Sequence, residues 1–463
     1  MCEPSLSLPP SRARWLSCAS DGRRRLAASV AAILSTALLA GCTTATAEQP
    51  RSRLSGHATT DATAAAPVTP APTPAVPPAT DQVAARLAKV SRAGIGSSGI
   101  VVLTDTGSPV AGRNADRPLA PASTLKLLTS LAALDTLGSD HTFTTRVVSP
   151  KKGRIVLVGG GDPLLTDKAS SSAAKPASLQ ALATATAAAL AGSGTTSVRL
   201  GYDDTLFSGP DFSPEWKQSW RSYLSRVSPL LIGHGRFDEW RSDPRPARTA
   251  ADTFAKRLRK AGIRVTAIAP EQAASSAAPV AVVQSAPLSL VVGRTLRLSD
   301  NLAAEVLARH VALATGRSPN FTGATAAVTT WLKAHGLWSE GMRLRDGSGL
   351  ANSSRVTPAV LARAIVASLN TPALQAVAAG LPVAGESGTL KHRFDDRSER
   401  AGRGNVRAKT GTLAGIASLA GYLTTADGSR LVFAEMANRT VGQNTAYNWL
   451  DRSAAALARC GCG

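Results

Sequence analysis

The chain has 463 residues, 44% of them hydrophobic and only 4% aromatic, and 52 Lys and Arg against 31 Asp and Glu leave a formal charge of +21. The length accommodates two domains, and the charge attracts polyanions, but no zinc-finger pattern, RNP-like aromatic set or basic helical arm accompanies it, which argues against a nucleic-acid partner. Six histidines without H-E-x-x-H or paired spacing suggest neither a metal site nor a metal cofactor, and no other cofactor is implied.

The first readable element is Arg23-Arg24-Arg25, followed by an apolar stretch from Leu26 to Leu39. A basic cluster ahead of about a dozen apolar residues reads as a signal peptide over 1–41, because a spanning helix needs ~20. It ends in Leu39-Ala40-Gly41-Cys42, which resembles a bacterial lipobox and predicts cleavage with a lipid anchor on Cys42. Removing 1–41, with five arginines and two acids, leaves +18. Residues 42–82 are rich in Ala, Thr and Pro and cannot bury enough surface to fold, so they read as an extended linker.

Pro121-Ala122 leads into Ser123-Thr124-Leu125-Lys126, with Leu127, Leu131 and Leu134 at helical spacing and Gly138 as a stop. Three residues of helix turn about 300° and rise about 4.5 Å, so the Lys126 amine stands on the same face as the Ser123 hydroxyl and can take its proton. A helix start also favours a developing anion. A second helix, with Leu302, Val306, Leu307, His310 and Val311, follows Ser299-Asp300-Asn301 and ends near Gly316. Those three residue types cap helices well; in a catalytic loop Ser299 would relay a proton and Asn301 would bind an amide. The interval of 176 positions from Ser123 to Ser299 exceeds what one helical layer needs, so 141–284 is predicted to be an inserted domain, with 83–140 and 285–463 flanking it. The third element, Val406 to Leu413 with Lys409-Thr410-Gly411-Thr412, reads as a strand. Ala417–Thr424 and Arg430–Ala437 follow as a hairpin across Asp427-Gly428. Gly411 would let a substrate backbone lie flat against the strand edge.

In this order S-x-x-K, S-x-N and K-T-G mark serine enzymes that are acylated by D-alanyl peptides or β-lactams. Further S-x-x-K matches stand at Ser149/Lys152 and Ser172/Lys175, and further S-x-N matches at Ser318/Asn320 and Ser368/Asn370. Local context disfavours them, since they fall in turn-like, Ser/Ala-rich or helix-ending stretches. Cys460 and Cys462 match no metal or redox spacing.

With these motifs the chain resembles the low-molecular-mass class C penicillin-binding proteins, the D-alanyl-D-alanine carboxypeptidase/endopeptidase family. Gly159-Gly160-Gly161-Asp162-Pro163, Asp346-Gly347-Ser348-Gly349-Leu350, Gly388-Thr389-Leu390 and Leu419-Ala420-Gly421-Tyr422 carry the likeness over roughly 83–450. The resemblance implies an α/β (α+β) fold: a serine β-lactamase/DD-peptidase-like catalytic domain, an antiparallel sheet flanked by helices, with an inserted second domain. It implies Ser123 as nucleophile, Lys126 as base and Ser299 as proton relay, with Asn301, Lys409, Thr410, Gly411 and Thr412 binding substrate. By position Leu350 and Leu413 would line the pocket for the preceding side chain. The implied activity is D-Ala-D-Ala carboxypeptidase with endopeptidase action on peptidoglycan stem peptides, inhibited by β-lactams. The implied place is the outer face of the bacterial cytoplasmic membrane or the cell wall, whose anionic polymers suit the charge. Alternatives are a transpeptidase, a β-lactamase, and a lipid-anchored wall-binding protein with a vestigial site. A class A β-lactamase leaves no room for a 176-residue interval, and no E-x-x-L-N segment stands between Lys126 and Lys409.

Overall fold

The computed structural model describes residues 79–169, 176–238 and 240–461. The expected signal peptide, the lipid-anchor cysteine Cys42, Ser172 and all but the end of the linker lie outside the described residues. Among the described residues there are ten strands and ten α-helices. They begin with α1 (Thr80–Ala88), β1 (Ile95–Thr104), β2 (Pro109–Arg113) and α2 (Leu125–Leu137). The middle of the chain holds β3 (Thr144–Lys151), β4 (Arg154–Val158), α3 (Leu179–Gly192), β5 (Ser197–Asp203), α4 (Pro246–Lys260), β6 (Arg264–Pro270) and β7 (Pro279–Gln284). Helices α5 (Leu288–Leu298), α6 (Asn301–Ala314), α7 (Phe321–Ala334), α8 (Pro358–Asn370) and α9 (Gln375–Ala379) come next. The last elements are β8 (Arg407–Leu413), β9 (Ile416–Thr424), β10 (Arg430–Thr440) and α10 (Gln443–Ala458).

The strands form two sheets. One is antiparallel throughout, in the order β2-β1-β10-β9-β8, and joins the two ends of the described chain. Its side chains alternate between two cores, as the two-residue period of a strand requires. Val101, Leu103, Val432, Ala434 and Met436 face α2 and α5–α8, whereas Val102, Leu431, Phe433 and Ala437 face α10 and Val83 of α1. The helix α1 therefore starts inside the stretch expected to be linker, because Val83 is buried under it. Ten consecutive residues of α2, Leu125 to Leu134, are buried, as in a helix that runs through a core rather than over one. Gly138, at φ +90°, ends it.

The second sheet, β6-β5-β4-β3-β7, is mixed, with β4, β5 and β6 parallel, and α3 and α4 pack on it through Leu182, Leu190, Phe254 and Leu258. It lies wholly within 144–284. The loop after β5 leaves it: Phe207, Phe212, Trp216, Val227 and Leu231 pack on Leu302 and Val306 of α6 and Phe321 of α7. Burying each such side chain is worth about 1.5–3 kcal/mol, so this loop is anchored to the helix that starts at Asn301. Cys460, buried beyond α10, is disulfide-bonded.

Candidate active site

Ser123 sits on a single 3-10 turn, Ala122–Thr124, that leads into α2. Ala122 takes φ +48°, which a residue with a Cβ adopts only when its surroundings force it. Two hydroxyls do so here by donating to the Pro121 carbonyl: Thr124 Oγ1 at 2.7 Å and Ser418 Oγ of β9 at 2.6 Å. Gly411 completes the fit. A Cβ there would strike Ser418 Oγ, would come within 2.6 Å of Pro121 O and would stand 3.1 Å from Ser123 N. Besides any substrate along the strand edge, the missing side chain of Gly411 makes room for the turn that carries Ser123.

Lys126 donates to three acceptors: Ser123 Oγ at 2.9 Å, Asn301 Oδ1 at 2.7 Å and the Ser348 carbonyl at 2.7 Å. It is completely buried, and burial pulls its pKa down to about 8 against the charges of Asp346, Glu305 and Asp300, which favour the cation. Two of these carboxylates, Glu305 and Asp346, were not expected to act on Lys126. Glu305, one helical turn after Asn301 on α6, accepts from the N–H groups of Gly347 (3.0 Å) and Ser348 (2.8 Å). Burial and the charge of Asp346 push it up to about 7. Asp346 accepts from Gly349 N (2.8 Å), Ala351 N (2.7 Å) and Trp216 Nε1 (2.8 Å), and burial raises it as well. Spacing from Asn301 and the Asp346-to-Leu350 stretch were the available signals for these two; nothing in the sequence pointed to Trp216.

On the other wall, Ser299 closes α5 in the left-handed region at φ +58° and Asp300 caps α6 by accepting from Ala303 N at 3.0 Å. Asn301 is the first residue of α6, and with Oδ1 taken by Lys126 its amide N–H remains for a substrate carbonyl. Lys409, also completely buried, donates to Ser299 Oγ at 2.9 Å and to the Thr410 carbonyl at 2.7 Å. Burial, then the charge of Lys126, holds its pKa well below the usual lysine value.

Lys409 lies on β8, the edge strand of its sheet. Ala408 N donates away from the sheet to Pro382 O, and N–H directions repeat every two residues, so those of Thr410 and Thr412 point to the same open side. The Thr410 hydroxyl meets Thr389 Oγ1 at 2.7 Å, and the exposed Thr412 hydroxyl meets Tyr447 OH at 3.0 Å. Arg393 stacks on the Tyr447 ring at 4.3 Å and is held by Asp451 through a bidentate pair. Ser123, Ser299, Thr389, Thr410, Thr412 and Tyr447 together line a cleft of about 490 Å³.

A nucleophile, a buried amine on it, a hydroxyl relay to a second amine and outward N–H groups on one strand can together carry acyl transfer. Leu350 lines a neighbouring cavity of about 600 Å³ next to Asn301, whereas Leu413 packs on Ala120, Ala122 and Ile416. The rejected matches have local partners: Ser149 Oγ donates to carbonyls of its own hairpin and Ser368 Oγ to Ile365 O. Asn320 caps α7.

Residues 79–239 and 234–459 match the D-Ala-D-Ala carboxypeptidase 3 (S13) family. The chain is 35% identical over 426 residues to a carboxypeptidase of Mycobacterium tuberculosis, covering 86% of this chain and 90% of that one. It is 34% identical over 383 residues to the carboxypeptidase DacB of Mycolicibacterium smegmatis, covering 79% and 81%. The fold is similar to that of penicillin-binding protein 4 of Haemophilus influenzae, with TM-score 0.68 at 20% identity over 80% of this chain and 97% of that one.

Proposed function

The chain belongs to the D-Ala-D-Ala carboxypeptidase 3 (S13) family, and on that premise we propose how its cleft works. It is a low-molecular-mass class C penicillin-binding protein and a serine-type D-alanyl-D-alanine carboxypeptidase that acts on peptidoglycan peptides and takes β-lactams, and we propose that it also acts as an endopeptidase. Ser123 Oγ attacks the carbonyl of the penultimate D-Ala while neutral Lys126 accepts the hydroxyl proton. The N–H groups of Ser123 and Thr412 stabilise the tetrahedral oxyanion, at about 3 kcal/mol per donor. The C–N bond breaks as Ser299, backed by Lys409, passes a proton to the departing amine. Water then cleaves the ester and restores Ser123. Asn301 holds the substrate amide, and Thr410 and Thr412 receive the terminal carboxylate beside Lys409. A free D-Ala leaving group makes the step a carboxypeptidase reaction; a cross-linked stem peptide makes it an endopeptidase reaction.

The observation that carries this assignment is Lys126 Nζ at 2.9 Å from Ser123 Oγ, in a buried site that brings the amine to about 8. Its test is Ser123→Ala, judged by mass spectrometry after incubation with penicillin: no adduct is expected, and an adduct of normal yield would move the nucleophile elsewhere. Anchoring on a lipidated Cys42 at the outer face of the membrane, with anionic wall polymers as neighbours, belongs to the same reading. It is supported by the basic and apolar run before Cys42 and by the remaining +18 charge. Cys42→Ser is expected to release the protein from the membrane fraction or leave uncleaved precursor. Wild-type protein in a detergent-free supernatant, with an N-terminus other than residue 42, would refute the anchor.

A further inference from the structure

Gly233, His234 and Gly235 take φ values of 58°, 57° and 64°, a run of three left-handed residues. Glycine enters that region freely; histidine does so against its Cβ, and such a residue persists only where its surroundings over-determine it. The turn is closed by Ser225 Oγ, which donates to the His234 carbonyl at 2.6 Å. The ring it presents bridges the two helices that flank the Ser299 loop. His234 Nε2 stands 3.1 Å from Arg294 Nη2 of α5, and Nδ1 stands 3.2 Å from Asp300 Oδ2. A guanidinium can only donate, so Nε2 accepts from Arg294, and Nδ1 is the ring nitrogen left beside the carboxylate.

Both oxygens of Asp300 are thereby committed, Oδ1 to the first turn of α6 and Oδ2 to His234. Burial works to raise the Asp300 pKa, but the adjoining His234 ring, the Ala303 N–H and the charge of Arg294 together hold the carboxyl below its usual range. Asp300 sits between Ser299, which faces Lys409, and Asn301, which faces Lys126. Ser299 is itself left-handed and ends α5, where the Asp300 N–H bonds the Thr295 carbonyl at 3.0 Å; the Asp300 side chain then ties this loop to the 233–235 turn.

We propose that His234 is a positioning residue: the left-handed turn at 233–235 holds the Ser299–Asn301 loop through Asp300 and so sets its distances to both lysines. The proposal rests on the acyl-transfer reading of the cleft. It assigns the interval 141–284 a role in forming the active site as well as flanking it.

Glycine and asparagine both tolerate positive φ, so His234→Gly removes the ring without backbone strain and His234→Asn keeps an N–H donor. In the full-length protein, His234→Gly is expected to lower the rate of acylation by penicillin, and kcat for D-Ala release more than KM, by about 10-fold to 100-fold. His234→Asn is expected to recover to within about threefold of wild type. Asp300→Asn added to His234→Gly is expected to cost little more, since one coupling has already been broken. Wild-type rates in His234→Gly, or equal losses in the glycine and asparagine variants, would overturn the proposal. If His234→Gly does not fold, Arg294→Gln reads the same bridge from α5: a loss in kcat supports it and an unchanged kcat overturns it. Failure of wild-type protein to acylate at all would instead remove the acyl-transfer reading.

Discussion

The two walls of the cleft each bury a lysine completely, one on α2 and one on β8, and they treat the charge differently. Lys126 has Asp346, Glu305 and Asp300 around it, and their charges offset part of the burial penalty, leaving it at about 8. Lys409 has a hydroxyl, a carbonyl and the charge of Lys126, and is held well below its usual value with no carboxylate to counter it. Burial alone depresses a lysine; the carboxylates decide where it comes to rest. An amine near 8 exchanges a proton with a serine at working pH, as a general base should. On the proposed mechanism the α2 wall moves a proton, and the β8 wall holds a relay and a substrate end.

Lys126→Arg tests that division most severely. Arginine keeps the charge but cannot lose its proton, so acylation by penicillin is expected to fall about 100-fold to 10,000-fold, close to the loss in Lys126→Ala. Substantial acylation, followed by mass spectrometry, would hand the base to another group and erase the contrast.

Thr412→Val probes the other wall. It removes a hydroxyl but keeps the backbone N–H, so hydrolysis of a D-Ala-D-Ala peptide should drop about 10-fold or more, beyond any loss with an uncharged ester. Equal losses on the two substrates would mean that Thr412, bonded to Tyr447, supports the strand and does not read the carboxylate.

Asp346→Asn sharpens the comparison through pH. Acylation needs neutral Lys126, so its rate rises as pH passes through about 8. Removing an anion that favours the cation lowers that pKa, and the rising limb should move to lower pH by about one unit. A limb that stayed in place or moved up would show that Asp346 acts only by holding its own loop and Trp216, through the three N–H groups it accepts.

Thr389→Val gives the smallest change. It removes only the hydroxyl partner of Thr410, and kcat/KM for the peptide should stay within about threefold, measured by D-Ala release. A loss as large as that of Thr412→Val would place Thr389 in contact with substrate.

Much of the catalytic arrangement was readable because it is local. Ser123 and Lys126 share a helix face, Gly138 stops that helix, Asp300 caps α6, and Gly428 at φ +86° turns the last hairpin. Each follows from spacing, capping or backbone freedom within a few residues, and such forces act wherever the segment lies. The order of the motifs added the family and, with it, the antiparallel sheet flanked by helices. Tertiary structure alone decided what the lysines feel. Lys126 meets the Ser348 carbonyl 222 residues away, the Asn438 side chain bonds Ala120 N across 318 residues, and Trp216 crosses from the β5 loop to Asp346. Sequence pattern carries no distance between such groups, and a pKa depends on distance and on excluded water. The function of Gly411 likewise depends on the Pro121 turn that packs against it, and the placing of Asp300 on a histidine in a left-handed turn. The chain alone named residues that the fold brings together at the cleft; packing of distant segments determined their proton affinities, because only a folded interior removes water and brings those charges together.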